Sequence, residues 1–317
     1  MNKLFQPKVL KGSLVVAASL SFYYFKKRKE PRQGNFRVIF YKSLPLRFLS
    51  RIAGILSTQT VPNFLRKPIF YSYSAIYGIN LSEVQPLNSF RSFGDFFSRT
   101  LDIEKYRKIA DSDIVSPVDG RVSSFGKLKE GEMIDAKGIK FSLKKFTGRS
   151  QEQAKNLHFV AFYLSPGDYH RFHSPVKWSI KRLKHFSGNL LPVNSSMTNL
   201  IPSMLCSNER VVLEGTWKHG YCSVTPIGAL NVGSIVLSKT IDPKLSTNLP
   251  QRNAQKEILF EEENSNGIKM PKIVELGFFK IGSSVVVLYD IPEDKNFLFR
   301  IREGQKIKVG NEIGYVV

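Results

Sequence analysis

Glu275-Leu276-Gly277-Phe278-Phe279-Lys280-Ile281-Gly282-Ser283-Ser284-Val285-Val286-Val287-Leu288-Tyr289 joins two apolar runs through a glycine and two serines. The run that starts at Ser283 is short and rich in β-branched residues, which is the pattern of a strand. Working outward, His158-Phe159-Val160-Ala161-Phe162-Tyr163 and Arg210-Val211-Val212-Leu213 repeat that pattern between clusters of Gly, Pro, Asn and Asp. Beyond residue 110 the chain is therefore expected to be mainly β, of sandwich or barrel type, with helices confined to the first hundred residues. The class is α+β. Residues 242–272 are polar, with few apolar positions, and read as an insertion or mobile loop before the Ser283 strand.

The same stretch carries chemistry. Gly282 has no Cβ, so the backbone there can take a strained form that lets the Ser283 hydroxyl reach the carbonyl in front of it. Gly-Ser-Ser is by itself an ordinary turn sequence and needs supporting groups. Cleavage at a serine requires a base for the hydroxyl proton and a carboxylate to hold that base. Val115-Ser116-Pro117-Val118-Asp119-Gly120-Arg121-Val122 offers the carboxylate, and Asp168-Tyr169-His170-Arg171-Phe172-His173-Ser174-Pro175 offers two imidazoles at i, i+3. In a strand that spacing turns the two rings to opposite faces; in a turn or helical arc it brings them together. Asp119-Gly120 alone also fits a hairpin turn. His158, His185 and His219 read as solvated surface groups.

Taken jointly, these segments resemble the phosphatidylserine decarboxylase family of pyruvoyl enzymes, in particular its mitochondrial-type proenzymes. The likeness runs from about Tyr41 to the end and includes Phe96-Phe97-Ser98-Arg99, Asn208-Glu209-Arg210-Val211, Gly228-Ala229-Leu230-Asn231-Val232-Gly233-Ser234 and Gly310-Asn311-Glu312-Ile313-Gly314. Ile281 and Ser284 depart from the more frequent Leu-Gly-Ser-Thr of the family while keeping size and character.

The resemblance implies a self-cleavage triad of Asp119, His173 and Ser283, cutting between Gly282 and Ser283 and turning Ser283 into a pyruvoyl group. That group is the implied cofactor, binding the substrate amine as a Schiff base; His170 is implied in decarboxylation. The implied reaction converts phosphatidylserine to phosphatidylethanolamine and CO2. The large chain, 1–282, and the small chain, 283–317, would stay associated, and a homo-oligomer is left open. No metal is implied, and the sequence contains no HExxH, Walker glycine loop or dinucleotide fingerprint.

Charge points to a polyanionic surface. The formal net charge is +21, and residues 1–67 hold fourteen Lys and Arg against Glu30 alone, an excess of +13. Phospholipid and nucleic acid are the two partners such an excess suits. Leu46, Leu49, Ala53 and Leu56 recur at helical spacing with Arg47 and Arg51 on other faces, which favours an interfacial helix and a lipid partner. No nucleic-acid signature occurs, although the basic, aromatic stretch from Phe64 to Tyr77 suits one in composition. Residues 1–30 read as a targeting segment and membrane anchor, 31–105 as a basic helical membrane-associating region, and 106–317 as the catalytic domain. The acid-free, basic start resembles a mitochondrial presequence, and Gly12 to Phe25 is an apolar run, short for a transmembrane span. With the resemblance, this places the protein in the mitochondrial inner membrane with its body in the intermembrane space. Cys206 and Cys222 make neither a disulfide framework nor a metal spacing.

A reading of a different class remains. Pro117–Gly120 together with Gly304–Gly310 also resembles the swinging-arm domains that carry lipoyl or biotin. Such a carrier needs a lysine at a hairpin tip, and Lys137, after Asp135-Ala136, has no supporting frame.

Overall fold

The computed structural model describes residues 46–128, 132–134, 140–149, 156–191, 204–229, 235–242, 244–245, 247, 255–260, 266–280 and 283–317. The expected anchor at 1–30, Lys137 and Gly282 lie outside the described residues.

Helix α1 (Leu46–Ser57) and helix α2 (Asn63–Tyr77) come first. Pro62, with its fixed φ, precedes α2, and Gly78 ends it at φ 68°, returning its N–H to the Ser74 carbonyl. Helix α3 (Phe93–Phe97) starts in a capping box: the Ser92 side chain accepts from the Asp95 N–H and the Asp95 carboxylate accepts from the Ser92 N–H. Helix α4 (Ile103–Tyr106) is capped by Asp102. Phe70 stacks on Phe96 with ring centroids 4.8 Å apart, and Phe90 packs edge-on against both. This aromatic cluster seats the helical region on the β body, where the Tyr73 hydroxyl donates to the Pro166 carbonyl at 3.0 Å.

The strands follow in order: β1 (Ile114–Val115), β2 (Gly120–Lys127), β3 (Glu132–Ile134), β4 (Lys140–Ser142), β5 (Leu157–Leu164), β6 (Arg171–His173), β7 (Trp178–Phe186), β8 (Arg210–Trp217) and β9 (Gly220–Gly228). Then come β10 (Ile235–Leu237), β11 (Gln255–Leu259), β12 (Ile268–Met270), β13 (Glu275–Phe279), β14 (Ser283–Asp290), β15 (Phe297–Phe299), β16 (Lys306–Ile307) and β17 (Glu312–Val316). One antiparallel sheet runs β11-β7-β8-β9-β14-β5-β2-β16, with β12 also on β7; smaller sheets join β10-β13-β6, β1-β17-β15 and β3-β4.

β14 shows why this sequence makes a sheet with two packed faces. Alternate side chains of a strand point to opposite sides. Val285, Val287 and Tyr289 enter the main core with Val160, Phe162, Leu213 and Val224, while Val286 and Leu288 enter a second core with Phe159, Ala161 and Ile227. Each such side chain contributes about 1.5–3 kcal/mol over leaving it in water. An unbroken apolar run is what a strand covered on both faces requires.

Two expectations are corrected. Helices are not confined to the first hundred residues: besides α4, α5 (Leu143–Thr147), capped by Ser142 and ended by Gly148 at φ 75°, and α6 (Met204–Ser207) lie within the β region. Within 242–272, β11 and β12 both pair with β7 and extend the large sheet. Their polar composition belongs to an edge position, where one side of the strand meets solvent. Lys306 and Ile307 of β16 lie opposite Arg121 and Gly120 of β2.

On α1 the side chains of Leu46 and Leu49 lie outside the described ones, and Ala53 and Leu56 are half-buried. Phe48, Ile52 and Ile55 are the exposed apolar row, and the Ile55 side chain is 62% exposed. On α2, Phe64, Leu65, Ile69, Tyr71 and Ile76 are exposed as well, Phe64 at 79%. Among the described residues no helix is long and apolar enough to cross a membrane.

Candidate active site

The site grows out of the register of β5. Ser283 opens β14 opposite Leu164 of β5 on one side and Gly228 of β9 on the other. Gly120 lies across β5 at the same level, and a Cβ there would meet the Tyr163 carbonyl oxygen at 2.6 Å. Close approach of two backbones, rather than a hairpin turn, is what requires glycine after Asp119. The His173 N–H donates to the Pro117 carbonyl at 2.8 Å, which brings β6 against the same segment. The three stretches singled out in the sequence thus converge on one end of the sheet.

His173 is 3% exposed, and both ring nitrogens are engaged. Nδ1 is 2.8 Å from the Ile273 carbonyl oxygen, and Nε2 is 3.2 Å from the Tyr169 hydroxyl. A carbonyl can only accept, so Nδ1 carries the proton and Nε2 presents its lone pair to the Tyr169 O–H. Burial pushes the His173 pKa down to about 4, against an opposing pull from the Ile273 carbonyl and the Asp119 charge. The ring is neutral at pH 7, as a general base must be. Ile273 reaches it from φ 70°, the one non-glycine positive φ among the described residues. For a β-branched residue that conformation is strained, by about 1–3 kcal/mol, and such strain concentrates at functional sites.

Asp119 is 7% exposed, and its described hydrogen bonds go to groups other than His173. Arg107 Nε donates to Oδ1 at 3.1 Å and Nη2 to Oδ2 at 2.5 Å, and the Val309 N–H donates to Oδ1 at 2.8 Å. The third guanidinium nitrogen, Nη1, reaches Glu83 Oε2 at 2.7 Å. Burial works against the Arg107 charge, but its two carboxylates more than offset this and raise its pKa. Asp119 therefore acts on His173 through its field.

His170 occupies different surroundings, as i, i+3 spacing in extended chain dictates. It is fully buried, stacked on Phe97 with ring centroids 4.0 Å apart. Its Nε2 donates to the Ser165 carbonyl at 3.0 Å, in a turn closed by Asp168, whose carboxylate accepts from the Ser165 N–H. Nδ1 is buried with no partner among the described residues. Burial, helped by the nearby Arg99 charge, pushes its pKa down to about 3.

Some histidines depart from the solvated reading. His158 is buried, its Nδ1 on the Asn156 carbonyl, and His185 is buried with Nε2 2.9 Å from Glu209 Oε1. Local polar partners are what make these sites tolerable. Sequence reasoning also left roles unassigned to Asn208 and Arg210. The Asn208 amide donates to the carbonyls of Leu191 and of Gly228, the β-partner of Ser283, and so braces β9 beside β14. Arg210 donates to the carbonyls of Lys145 and Phe146 at the end of α5. The quoted run Asn208-Glu209-Arg210 was the available signal.

Comparison with known proteins agrees with this arrangement. The family model described as phosphatidylserine decarboxylase matches residues 93–315. The chain is 36% identical over 307 residues to "Phosphatidylserine decarboxylase proenzyme, mitochondrial" of Rattus norvegicus, covering 88% of this chain and 75% of the rat protein. It is 37% identical over 308 residues to the Pongo abelii protein of that name, covering 89% and 74%, and 35% identical over 286 residues to that of Caenorhabditis elegans, covering 88% and 74%. With Asp119, His170, His173 and Ser283 carried on strands and turns that meet at one sheet end, the chain belongs to the phosphatidylserine decarboxylase family.

Proposed function

We propose that the chain is a proenzyme that cuts itself between Gly282 and Ser283 and then decarboxylates phosphatidylserine to phosphatidylethanolamine and carbon dioxide. The observation that carries this reading is the convergence of three segments: Gly120 and Ser283 both lie against Tyr163-Leu164 of β5, and the His173 N–H ties β6 to Pro117 beside Asp119.

In this reading His173 Nε2, already an acceptor, takes the Ser283 hydroxyl proton, and the buried negative charge of Asp119 steadies the ring once it is cationic. A pyruvoyl group made from Ser283 would supply the electron sink for the pair left when carbon dioxide departs. The residues fit such a group. β14 is paired on both sides from Ser283 onward, so a new terminus there stays seated between β5 and β9. The same pairing, with β16 on β2 and β17 on β1, keeps the chains 1–282 and 283–317 together. His170 serves the decarboxylation step in this reading: its Nδ1, an acceptor in the neutral ring, takes up a proton before it holds the substrate carboxylate or protonates the α-carbon.

The lipid surface is met by α1 and α2. Their exposed Phe48, Ile52, Ile55, Phe64 and Ile69 form the apolar part of an interfacial region, amid the basic excess of residues 1–67. The relatives are named mitochondrial, and we place this chain at the mitochondrial inner membrane with its catalytic body in the intermembrane space.

A denaturing gel with intact-mass analysis tests the central claim. Two pieces are expected, the smaller of about 4 kDa by residue share, and Ser283→Ala leaves one chain. Cleavage at that bond in Ser283→Ala sinks the assignment.

A further inference from the structure

Arg99 ends the Phe96-Phe97-Ser98-Arg99 run, and nothing in the reaction derived above uses its charge. It is 4% exposed. Nη2 donates to the carbonyls of Gly167 and Asp168 at 2.9 and 3.1 Å, which ties the helical region to the turn before His170. Nη1 is buried and has no acceptor among the described residues. A buried donor left unmade costs about 1–3 kcal/mol, and more on a charged group. Burial lowers the Arg99 pKa against a weaker opposing pull from Tyr73, Asp119 and Asp168, and among the described residues no carboxylate is hydrogen-bonded to the guanidinium. A group in that condition is matched to an anion that arrives from outside.

Arg99 lines a cavity of about 410 Å³ that Arg171, Lys280, Asp95 and Phe278 also line. Three cations there meet one carboxylate, and that carboxylate already accepts from the Ser92 N–H. Arg171 is held by the Ser98 and Arg99 carbonyls and by Glu275. Lys280 is half-buried and makes no described ion pair; it stands three residues before Ser283. Arg171 follows His170 in the chain and Lys280 follows β13, so the cavity is lined by residues next in sequence to His170 and to the segment that leads into β14. A larger basic cavity of about 830 Å³ lies around Lys144, Lys184 and Arg210. It is a poorer candidate, because Arg210 is saturated by carbonyls and Lys184 and Lys256 already face Glu257 and Asp242.

The geometry points to a phosphodiester subsite in the cavity of Arg99, Arg171 and Lys280, which holds the headgroup phosphate of the lipid while its serine amine reaches position 283. This inference rests on the decarboxylase reading and adds the place where the substrate is gripped. A planar guanidinium edge suits two phosphate oxygens, and an ammonium adds a point charge. The cavity volume lies in the range of small-molecule sites. A lipid source is favoured over free phosphate because Thr58, the residue after α1, lines the same cavity. The headgroup can enter there while its acyl chains lie along the exposed Phe48, Ile52 and Ile55 of α1.

Steady-state kinetics on processed protein with dihexanoyl phosphatidylserine, which is soluble and removes vesicle binding from the measurement, test the subsite. Arg99→Lys and Lys280→Gln should each raise KM roughly tenfold, the worth of one charge-assisted hydrogen bond. The inhibition constant of dihexanoyl phosphatidylethanolamine should rise in parallel, since the product keeps the phosphodiester and has lost the carboxylate. A raised KM with an unchanged product constant assigns the cavity to the carboxylate and overturns the proposal. Loss of kcat or of processing with both constants unchanged makes Arg99 structural and overturns it too. If Arg99→Lys fails to fold, Lys280→Gln and Lys280→Glu carry the same test from a half-buried position. If the wild-type protein releases no carbon dioxide, the decarboxylase reading fails, whereas the subsite is still judged by weaker binding of dihexanoyl phosphatidylethanolamine to Lys280→Glu than to wild type; equal binding overturns it.

Discussion

Arg107 closes a two-pronged grip on Asp119, Nε to Oδ1 at 3.1 Å and Nη2 to Oδ2 at 2.5 Å, with the two side chains 2% and 11% exposed. The carboxylate assigned to the triad is thus neutralised by a cation, and it influences His173 from within that pair. Removing one partner of a buried ion pair strands the other charge, which costs about 3–5 kcal/mol. Arg107→Ala should therefore lower stability by that order and also slow self-cleavage. Urea unfolding and a processing time course check this; unchanged stability would mean the pair is solvated in solution.

Maturation and turnover should separate at the two histidines. His173→Ala is expected to leave a single chain on a denaturing gel, because its Nε2 is the acceptor nearest in role to the Ser283 hydroxyl. His170→Ala should be processed and then release carbon dioxide at least about a hundredfold more slowly, the usual worth of a positioned acid or base. Cleavage lost in His170→Ala and kept in His173→Ala would exchange the two roles.

Acid should destabilise the protein through these same rings. The pKa values of His170 and His173 in the fold, about 3 and about 4, lie below the ordinary 6.5, so the unfolded chain binds more protons in between. Their stabilising share is complete above pH 6.5 and is lost as pH falls toward 4, by up to about 1.4 kcal/mol per pH unit for each ring. Urea midpoints measured in Ser283→Ala, which stays in one piece, should fall across that window. Adding His173→Asn should flatten the slope, and identical slopes with and without it would count against a buried neutral ring.

Membrane docking is expected to depend on the exposed helix faces. In a chain lacking residues 1–30, Ile55→Glu with Phe64→Glu should weaken binding to phosphatidylserine vesicles about tenfold or more, since each change removes an apolar side chain from the interface. Processing should continue, because both positions lie on exposed helix surface away from β14. Vesicle sedimentation reads the first effect and a gel the second; undiminished binding would move the docking surface elsewhere.

Much of the candidate site was legible because the residue types that compose it are carried by local words. Asp119-Gly120, His170 to His173 and Gly282-Ser283 each need particular residue types at fixed short spacing, and β14 announces itself by an apolar run that only a doubly covered strand can use. What holds those words together was not local. Ile273 reaches His173 across a sequence separation of 100 residues, from a backbone conformation that an isoleucine gives no sign of adopting. Val309 and Arg107 reach Asp119 from opposite ends of the catalytic region, and β11 and β12 hid in a polar stretch because edge strands tolerate solvent on one side. His158 and His185 looked like surface groups because a buried imidazole differs from an exposed one only in its distant packing and its hydrogen-bond partner. Residue order by itself determined which functional groups were present and which segments could be strands. Only the tertiary structure decided which carbonyl sets the His173 tautomer, which cation holds Asp119 and which guanidinium nitrogen of Arg99 is left without an acceptor, because hydrogen-bond partners and desolvation depend on proximity in space.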